Sequence, residues 1–598
     1  MRRHLAALLG LVLLFAPVSA FGRPPEARLA FTVSIPHPDA HILHVRFRAE
    51  GLKGVVRDFE MPAWMPGYYR ILDYEKNVSN FRAADGDGHA LGWEKVTRNT
   101  WRVAAAQSPV VVLDYDVLAD IPFVAANFAD AGRAFLAPPG IFVYPAGEIR
   151  HPVTVTVRLP EGWTRVATGL DPVGGRPGTF FAPDFDVLYD CPLLLGNQET
   201  ARFEVRGVPH TVVIEDVPDT VDRRRMLADL KRIVETATGL MEAIPYTHYT
   251  FLLMGKGNGG IEHANSAACS FNGRGLVDEK GYQGWLSYIS HEYFHNFNVK
   301  RIRPLALGPF DYETENLTDM LWVSEGLTVY YEDIIMVRAG LMTGDEYLER
   351  MEKAMTRFEN SPGRRYQSAA ESSLETWSSQ GLGGGKTKIS YYDNGAMLGA
   401  MLDLEIRHDS GNRRSLDDVM RQLYRKYAQG LKRGFTDAEF REACEAAAGQ
   451  PMAEMFAYAS TTKDVDYAKY FGYAGLRVVD TAKEAPGAYL GLDTQTADGK
   501  LIVTGASSGS PAETAGLRPG DELLELDGRR ATADVLSALL TAKKPGDTVK
   551  ARLSRGGAER DAEIALGKNM KHDYSISRDP GPTPLQAAIL KGWLKRPE

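Results

Sequence analysis

His291, Glu292 and His295 spell H-E-x-x-H within the run GWLSYISHEYFHNFNVKRIRP, Gly284 to Pro304. On a helix, residues four apart share a face, so the two imidazoles can converge on one metal ion. Neutral imidazole suits zinc, and Glu292 is placed to take a proton from a water activated there rather than to bind the ion. Trp285, Leu286, Tyr288, Ile289, Phe294 and Phe297 surround the polar triplet with bulky apolar groups, which predicts a buried helix. A catalytic zinc takes three protein ligands and leaves one position open, so a third donor is required. The candidate is Glu325, amid the apolar and aromatic residues of LWVSEGLTVYYE on a second expected helix.

These two motifs resemble those of the gluzincin metallopeptidases, which carry H-E-x-x-H on one helix and a glutamate ligand on the next. WVSEGLTVYYE is similar to the second zinc motif of the aminopeptidase N and leukotriene A4 hydrolase families, although the spacer between His295 and Glu325 is longer here. HEYFHNFNVKRIRP extends the resemblance to the glycyl aminopeptidase family with a C-terminal PDZ domain. The resemblance implies one zinc ion held by His291, His295 and Glu325 in a mainly helical, thermolysin-like domain.

Upstream, Thr250 to Met254 reads as a buried strand, followed by the glycine-rich run from Gly255 to Gly260 and then Ile261-Glu262-His263. The run lacks the G-K-[ST] ending of a phosphate loop. Its position is similar to the G-x-M-E-N motif of zinc aminopeptidases, with His263 where Asn stands in that motif. The resemblance implies that Gly259 and Gly260 let a peptide backbone approach as an added strand and that Glu262 anchors a free α-amine. The alternative is a surface loop with a solvated carboxylate. Downstream, Tyr391-Tyr392-Asp393-Asn394-Gly395-Ala396 resembles the Y-x-K-G-A segment whose tyrosine steadies an oxyanion; the glycine maps that role onto Tyr392, with Tyr391 the runner-up. Lys300, Arg301 and Arg303 read as a charged loop pairing with acidic neighbours or as a carboxylate site, and Asn298 as support for a metal ligand.

The elements that position these residues imply a multidomain α+β chain. At 598 residues, with 69 basic and 77 acidic side chains and a net charge of −8, it is long enough for several domains, and its charge balance argues against a nucleic-acid binder. Met1 to Ala20 reads as a signal peptide, so an exported protein, periplasmic or secreted, is expected, with no membrane span in the mature chain. Cys191, Cys269 and Cys444 are expected as buried thiols. Residues 21–217 alternate apolar and polar positions as an antiparallel β domain, and 218–470 read as the peptidase domain. Met61 to Tyr69 is expected to pack at a domain interface, and Ser361 to Lys388, ending in Gly381 to Gly385, to form a long mobile loop.

Residues 471–568 resemble a PDZ domain of the bacterial protease type through Ala515-Gly-Leu-Arg-Pro-Gly-Asp521. Tyr489, Leu490, Gly491 and Leu492 would be its peptide loop, taking a C-terminal peptide ligand, unless the domain only packs on the catalytic part. Residues 569–598 read as a polar connector and a short amphipathic helix. The expected function is a zinc-dependent aminopeptidase acting on peptides with a free N-terminus, with Gly or Ala preferred by resemblance. Two alternatives stay open: an exported zinc endopeptidase with PDZ-directed substrate choice, and a catalytically inert peptide-binding protein.

Overall fold

The computed structural model describes residues 28–105, 108–271, 276, 278–378, 388–507 and 509–594. The expected signal peptide and Gly381 to Gly385 lie outside them. Among the described residues, no helix is long and apolar enough to cross a membrane.

The N-terminal part is built on period-two patterning. Leu29, Phe31 and Val33 point inward from Arg28–Ser34, and Leu43, Val45, Phe47 and Ala49 do so from Ile42–Glu50. The two strands pair antiparallel with Phe31 opposite Phe47, their rings stacked at 4.2 Å. They belong to a seven-stranded sheet completed by two four-stranded sheets. One pairing departs from the expected antiparallel pattern, since Arg28–Ser34 also lies parallel to Val153–Arg158. Such a pairing needs a long crossover, which alternation within a strand does not reveal.

A five-stranded sheet joins this part to the helices. Its order is Glu199–Val205, Val208–Glu215, Tyr249–Met254, Ser266–Ser270, Gly260–Glu262. All six residues of Tyr249–Met254 are buried, as suits a strand covered on both faces. Phe251 and Leu253 pack with the helices, whereas Leu252 and Met254 pack with the N-terminal β core. Glu199–Val205 and Val208–Glu215 therefore belong to the peptidase sheet, and the expected boundary at 217 moves to before Glu199. Both strands alternate like those upstream, so composition alone could not separate them.

The helices of the middle part include Glu279–Phe294, Leu327–Arg338, Gly344–Glu359 and Tyr391–Asp409. Residues 361–378, expected as mobile loop, instead form short helical turns at Pro362–Arg365, Ala369–Leu374 and Glu375–Trp377. Ser368 caps the middle one through a capping box with Glu371, a local signal present in the sequence.

The PDZ domain has its own core, with Leu490, Val503, Leu523 and Ile564 among its buried residues. Leu476–Asp480 before it pairs antiparallel with Tyr574–Arg578 after it, so the domain is inserted between two strands of one ladder. The stretch after it is no free connector. Helix Pro584–Trp593 sinks Ile589 and Trp593 into the peptidase core, where the Trp593 indole donates to Tyr330 and Tyr330 donates to Asp403. A fully buried Trp with its N–H satisfied makes this helix part of the peptidase domain.

Candidate active site

Helix Glu279–Phe294 presents His291 and, at its C-terminal cap, His295 on one face. Their Nε2 atoms lie 2.9 Å apart, and Glu325 Oε2 stands 3.1 Å from that of His295 and 3.7 Å from that of His291. Such a trio of ring nitrogens and a carboxylate oxygen, all buried, could hold one divalent ion. The outer nitrogens fix the tautomers: His291 Nδ1 donates to Glu332 Oε2 (2.8 Å), and His295 Nδ1 to the Asn298 carbonyl (2.6 Å). Both Nε2 lone pairs are thereby left for a metal, which is the arrangement zinc ligation requires.

The electrostatics point the same way. Burial works against charge on His291, yet Glu325 and Glu332 raise its pKa well above the ordinary value. Burial likewise opposes ionisation of Glu325, but His295 and His291 outweigh it and hold that carboxyl low. The site thus concentrates anionic character where a cation would sit. Glu292, next to it and buried, is pushed up to about 7, chiefly by desolvation, against the pull of the two histidines.

Glu325 does not sit on a regular α-helix. Trp322–Gly326 is a π-helical turn leading into Leu327–Arg338. The widened turn displaces the hydrogen-bond ladder, and Asn298 Nδ2 takes up two of its carbonyls, those of Val323 (2.9 Å) and Ser324 (3.0 Å). Asn298 therefore ties the third donor to the second, a stronger form of the support expected of it. Glu332 was missed as a partner of His291, although its place seven residues after Glu325 puts it on the same face two turns on.

The N-terminal part completes the centre. Tyr69 donates its hydroxyl to Glu325 Oε1 (3.0 Å), leaving Oε2 turned to the histidines. Trp377 packs edge-on against Trp64 and Tyr69, at 5.0 and 6.1 Å. Met61 to Tyr69 thus does pack at the interface as expected, but also reaches the candidate metal centre. The long spacer before Glu325 serves the same junction: the Tyr312 carbonyl accepts from Ala63 N (2.8 Å), and the Asp311 carbonyl from the Trp64 indole (2.8 Å). Tyr69→Phe is expected to weaken zinc binding by about tenfold, measured by competition with a chromophoric chelator, because an outer partner of a ligand is lost without a change of shape. Unchanged affinity would show that Glu325 is oriented by the π-turn alone.

Gly260, Ile261 and Glu262 form the edge strand of the five-stranded sheet, beside the zinc-motif helix. A Cβ on Gly260 would collide with Glu292 Oε1, so only glycine lets the strand pass over that carboxylate. Gly259, preceding it, is held to the sheet by Ser270 N donating to its carbonyl (3.0 Å). Glu262 is 3% exposed, and its Oε1 has no hydrogen-bond partner among the described residues. Gly67 of the N-terminal part lies across it, so close that a Cβ there would stand 2.9 Å from both carboxylate oxygens. The solvated alternative for Glu262 is excluded by that burial.

His263 is fully buried with Nδ1 3.2 Å from Asp190 Oδ1, where Lys300 Nζ also sits (2.5 Å). Arg301 donates to the carbonyls of Ala264, Asn296 and Pro245. Lys300 and Arg301 therefore brace the Glu262 strand from behind rather than bind a substrate carboxylate. Arg303 stacks near the Phe310 ring at 5.6 Å. Of the two tyrosines, Tyr391 is buried with its hydroxyl 3.3 Å from Thr376 Oγ1, whereas the half-buried Tyr392 ring lies 6.1 Å from that of His291, inclined to it by 29°. Cys191, Cys269 and Cys444 are buried and unbridged.

Comparison with known proteins agrees with this geometry. Residues 30–197 match the model of the peptidase M61 N-terminal domain, 284–398 that of M61 glycyl aminopeptidase, and 488–566 a PDZ domain. An aminopeptidase N family protein from Idiomarina loihiensis superimposes with a TM-score of 0.76 at 27% identity, over 95% of this chain and 100% of that one. An M1 zinc metallopeptidase from Deinococcus radiodurans gives 0.48 at 14% identity over 74% and 96%. Among curated proteins, a probable CtpA-like serine protease from Staphylococcus haemolyticus is 33% identical over 81 residues, 13% of this chain and 16% of its own length. The chain spans less than a fifth of the length of the curated relatives it matches. The first family boundary, at 197, coincides with the start of the peptidase sheet, and the second match spans all three candidate metal donors. The β domain that reaches into the buried His-His-Glu centre thus matches the M61 N-terminal model, the part that carries that centre matches the M61 glycyl aminopeptidase model, and the module behind it matches a PDZ domain.

Proposed function

We propose that the chain is a zinc-dependent aminopeptidase that removes single residues from peptide N-termini. The observation that carries this reading is Glu262: a buried carboxylate with an unpartnered oxygen, at the end of an edge strand and walled off by Gly67. A buried unpaired anion is costly, and a peptide's α-ammonium supplies the missing partner. The edge strand Gly260–Glu262 can take the substrate backbone as an added strand, which runs it past Glu292. Gly67 packs against both carboxylate oxygens of Glu262, which favours a cleft that ends at the first residue over that of an endopeptidase.

His291 Nε2, His295 Nε2 and Glu325 Oε2 would hold the zinc ion. When bound, zinc supplies a Lewis acid that polarises the scissile carbonyl and the attacking water. Glu292 takes the proton of that water on its carboxylate and later delivers it to the leaving amine. A carboxyl whose pKa lies near neutrality does both with little penalty. The Tyr392 hydroxyl is the donor for the oxyanion, a role supported by the position of its ring beside that of His291. Preference for an N-terminal Gly or Ala is supported by the resemblance to glycyl aminopeptidases.

The test uses paired peptides, identical except for a free or acetylated N-terminus, with zinc and after chelation. Chelator-sensitive release of the first residue from the free form alone is the expected result. Internal cleavage of both forms would make the chain an endopeptidase, and cleavage of neither an inert binding protein.

A further inference from the structure

The strand Gly260–Glu262 has one bonded edge and one open edge. Toward Ser266–Ser270, Ser270 N donates to the Gly259 carbonyl (3.0 Å) and His263 N to the Ser266 carbonyl (2.9 Å), with Ile261 paired to Ala268 between them. The odd-numbered residues therefore direct their backbone groups at that neighbour. Alternation turns the N–H and C=O of Gly260 and Glu262 to the other edge.

The N-terminal part frames this open edge at both ends. Asn258, the preceding even-numbered residue, is already bridged in parallel by Phe123. At the other end, Met65-Pro66-Gly67-Tyr68 is a turn closed by Tyr68 N donating to the Met65 carbonyl (3.0 Å), and Gly67 has φ +99°, which suits glycine after proline. The turn sets Gly67 against the Glu262 carboxylate. It also sends Tyr68 toward the first end, where its ring meets that of Phe123 edge-on at 5.1 Å.

Both rings lie on one side of the strand. Ile261 is buried in the N-terminal β core, which the half-buried Tyr68 and Phe123 also border. On that side a Cβ on Gly67 would stand 2.9 Å from Ile261 Cγ2, and one on Gly259 would stand 3.1 Å from Phe123 Cε2. Gly260 points the opposite way, at Glu292.

An added strand inherits these two sides, because residues directly opposite in an antiparallel pair carry their side chains on the same face. With its α-amine at Glu262 and its first peptide bond at Glu292, a peptide lays its first residue across from Ile261 and its second across from Gly260. The first side chain is then directed at the Tyr68 and Phe123 rings, and the second at the zinc-motif helix.

We infer that Tyr68 and Phe123 are specificity-determining residues for the first side chain and restrict it to hydrogen or methyl. This rests on the amine anchor at Glu262 proposed above. It gives the expected preference for Gly or Ala a physical cause, and places that cause in a part of the chain that supplies neither a metal donor nor the base.

The test takes the full chain with zinc, and the variants Tyr68→Ala and Phe123→Ala, through two tetrapeptide series. One varies the first residue through Gly, Ala, Val, Leu and Phe, and the other varies the second in the same way. In the parent, kcat/KM is expected to fall by about tenfold or more from Ala to Leu at the first position, since a pocket discriminates by at least about tenfold per methylene. Each variant is expected to narrow that ratio by about tenfold and to keep the parental order in the second series. A parent that takes Leu as readily as Ala would overturn the closed pocket before any variant is made. Variants that melt as the parent does but keep its first-position ratio, or that slow every peptide in proportion, would also overturn it. Failure of the anchor is seen elsewhere, in N-acetylated members of the first series: cleavage of these by the parent at the rate of the free peptides would remove the aminopeptidase reading itself, whatever the first-position ratio.

Discussion

Glu292→Gln is expected to lower kcat for peptide hydrolysis by about a thousandfold while zinc affinity changes little. The amide keeps the shape of the side chain beside Gly260, where there is no room for a larger group, but it cannot accept a proton. Glu292 is not among the donors that converge on the candidate ion, so the metal should stay. The pH dependence carries the sign. Desolvation has raised this carboxyl to about 7, so as pH falls through its pKa the base gains a proton and activity is lost. A bound divalent cation adds positive charge nearby and moves that acidic limb lower. The Gln chain should show a residual rate without the limb. Measuring kcat against pH together with zinc content decides the matter: a limb that survives in Glu292→Gln would assign the proton transfer to another group, and a chain that loses its zinc would recast Glu292 as structural.

How legible the site was depended on whether its parts lie within one element. His291, Glu292 and His295 share one helix, so their spacing alone placed them. Glu325 required a helix of the right character downstream, and it was visible as a carboxylate among aromatics, but the π-turn that carries it has no comparable residue signal. Tyr69 ends the aromatic stretch Met61 to Tyr69, yet its hydroxyl meets a carboxylate 256 positions away. No periodicity reports a contact between two domains. The same holds for the PDZ insertion, whose flanking strands pair across about a hundred residues, and for Trp593, which reads as the end of an amphipathic helix until the core it enters is known. Glu332 and the capping box at Ser368 were readable by local rules. Each was obscured by a stronger neighbouring pattern, the aromatic zinc motif in one case and a Ser- and Gly-rich composition in the other.

Glu262→Gln is expected to reduce kcat/KM for peptides with a free N-terminus by about a hundredfold, and to leave acetylated peptides no worse cleaved than before. Removing one partner from a buried, hydrogen-bonded charge pair costs about 2–5 kcal/mol, and each 1.4 kcal/mol is a factor of ten. The cost falls only on substrates that bring the ammonium. Because the carboxylate lies against Gly67, the Gln side chain of equal size occupies the same space, so a packing defect does not confuse the result. The substitution has a second consequence through charge. Glu262 is one of the anions that raise the Glu292 pKa, so neutralising it should also move the acidic limb of the pH profile downward. A purely structural role for Glu262 would lower kcat and the melting temperature together, whereas an amine anchor would raise KM for free peptides in a chain whose melting curve is unchanged. The limb shift follows from the lost charge in either case, so KM and kcat read beside the melting curve distinguish the roles.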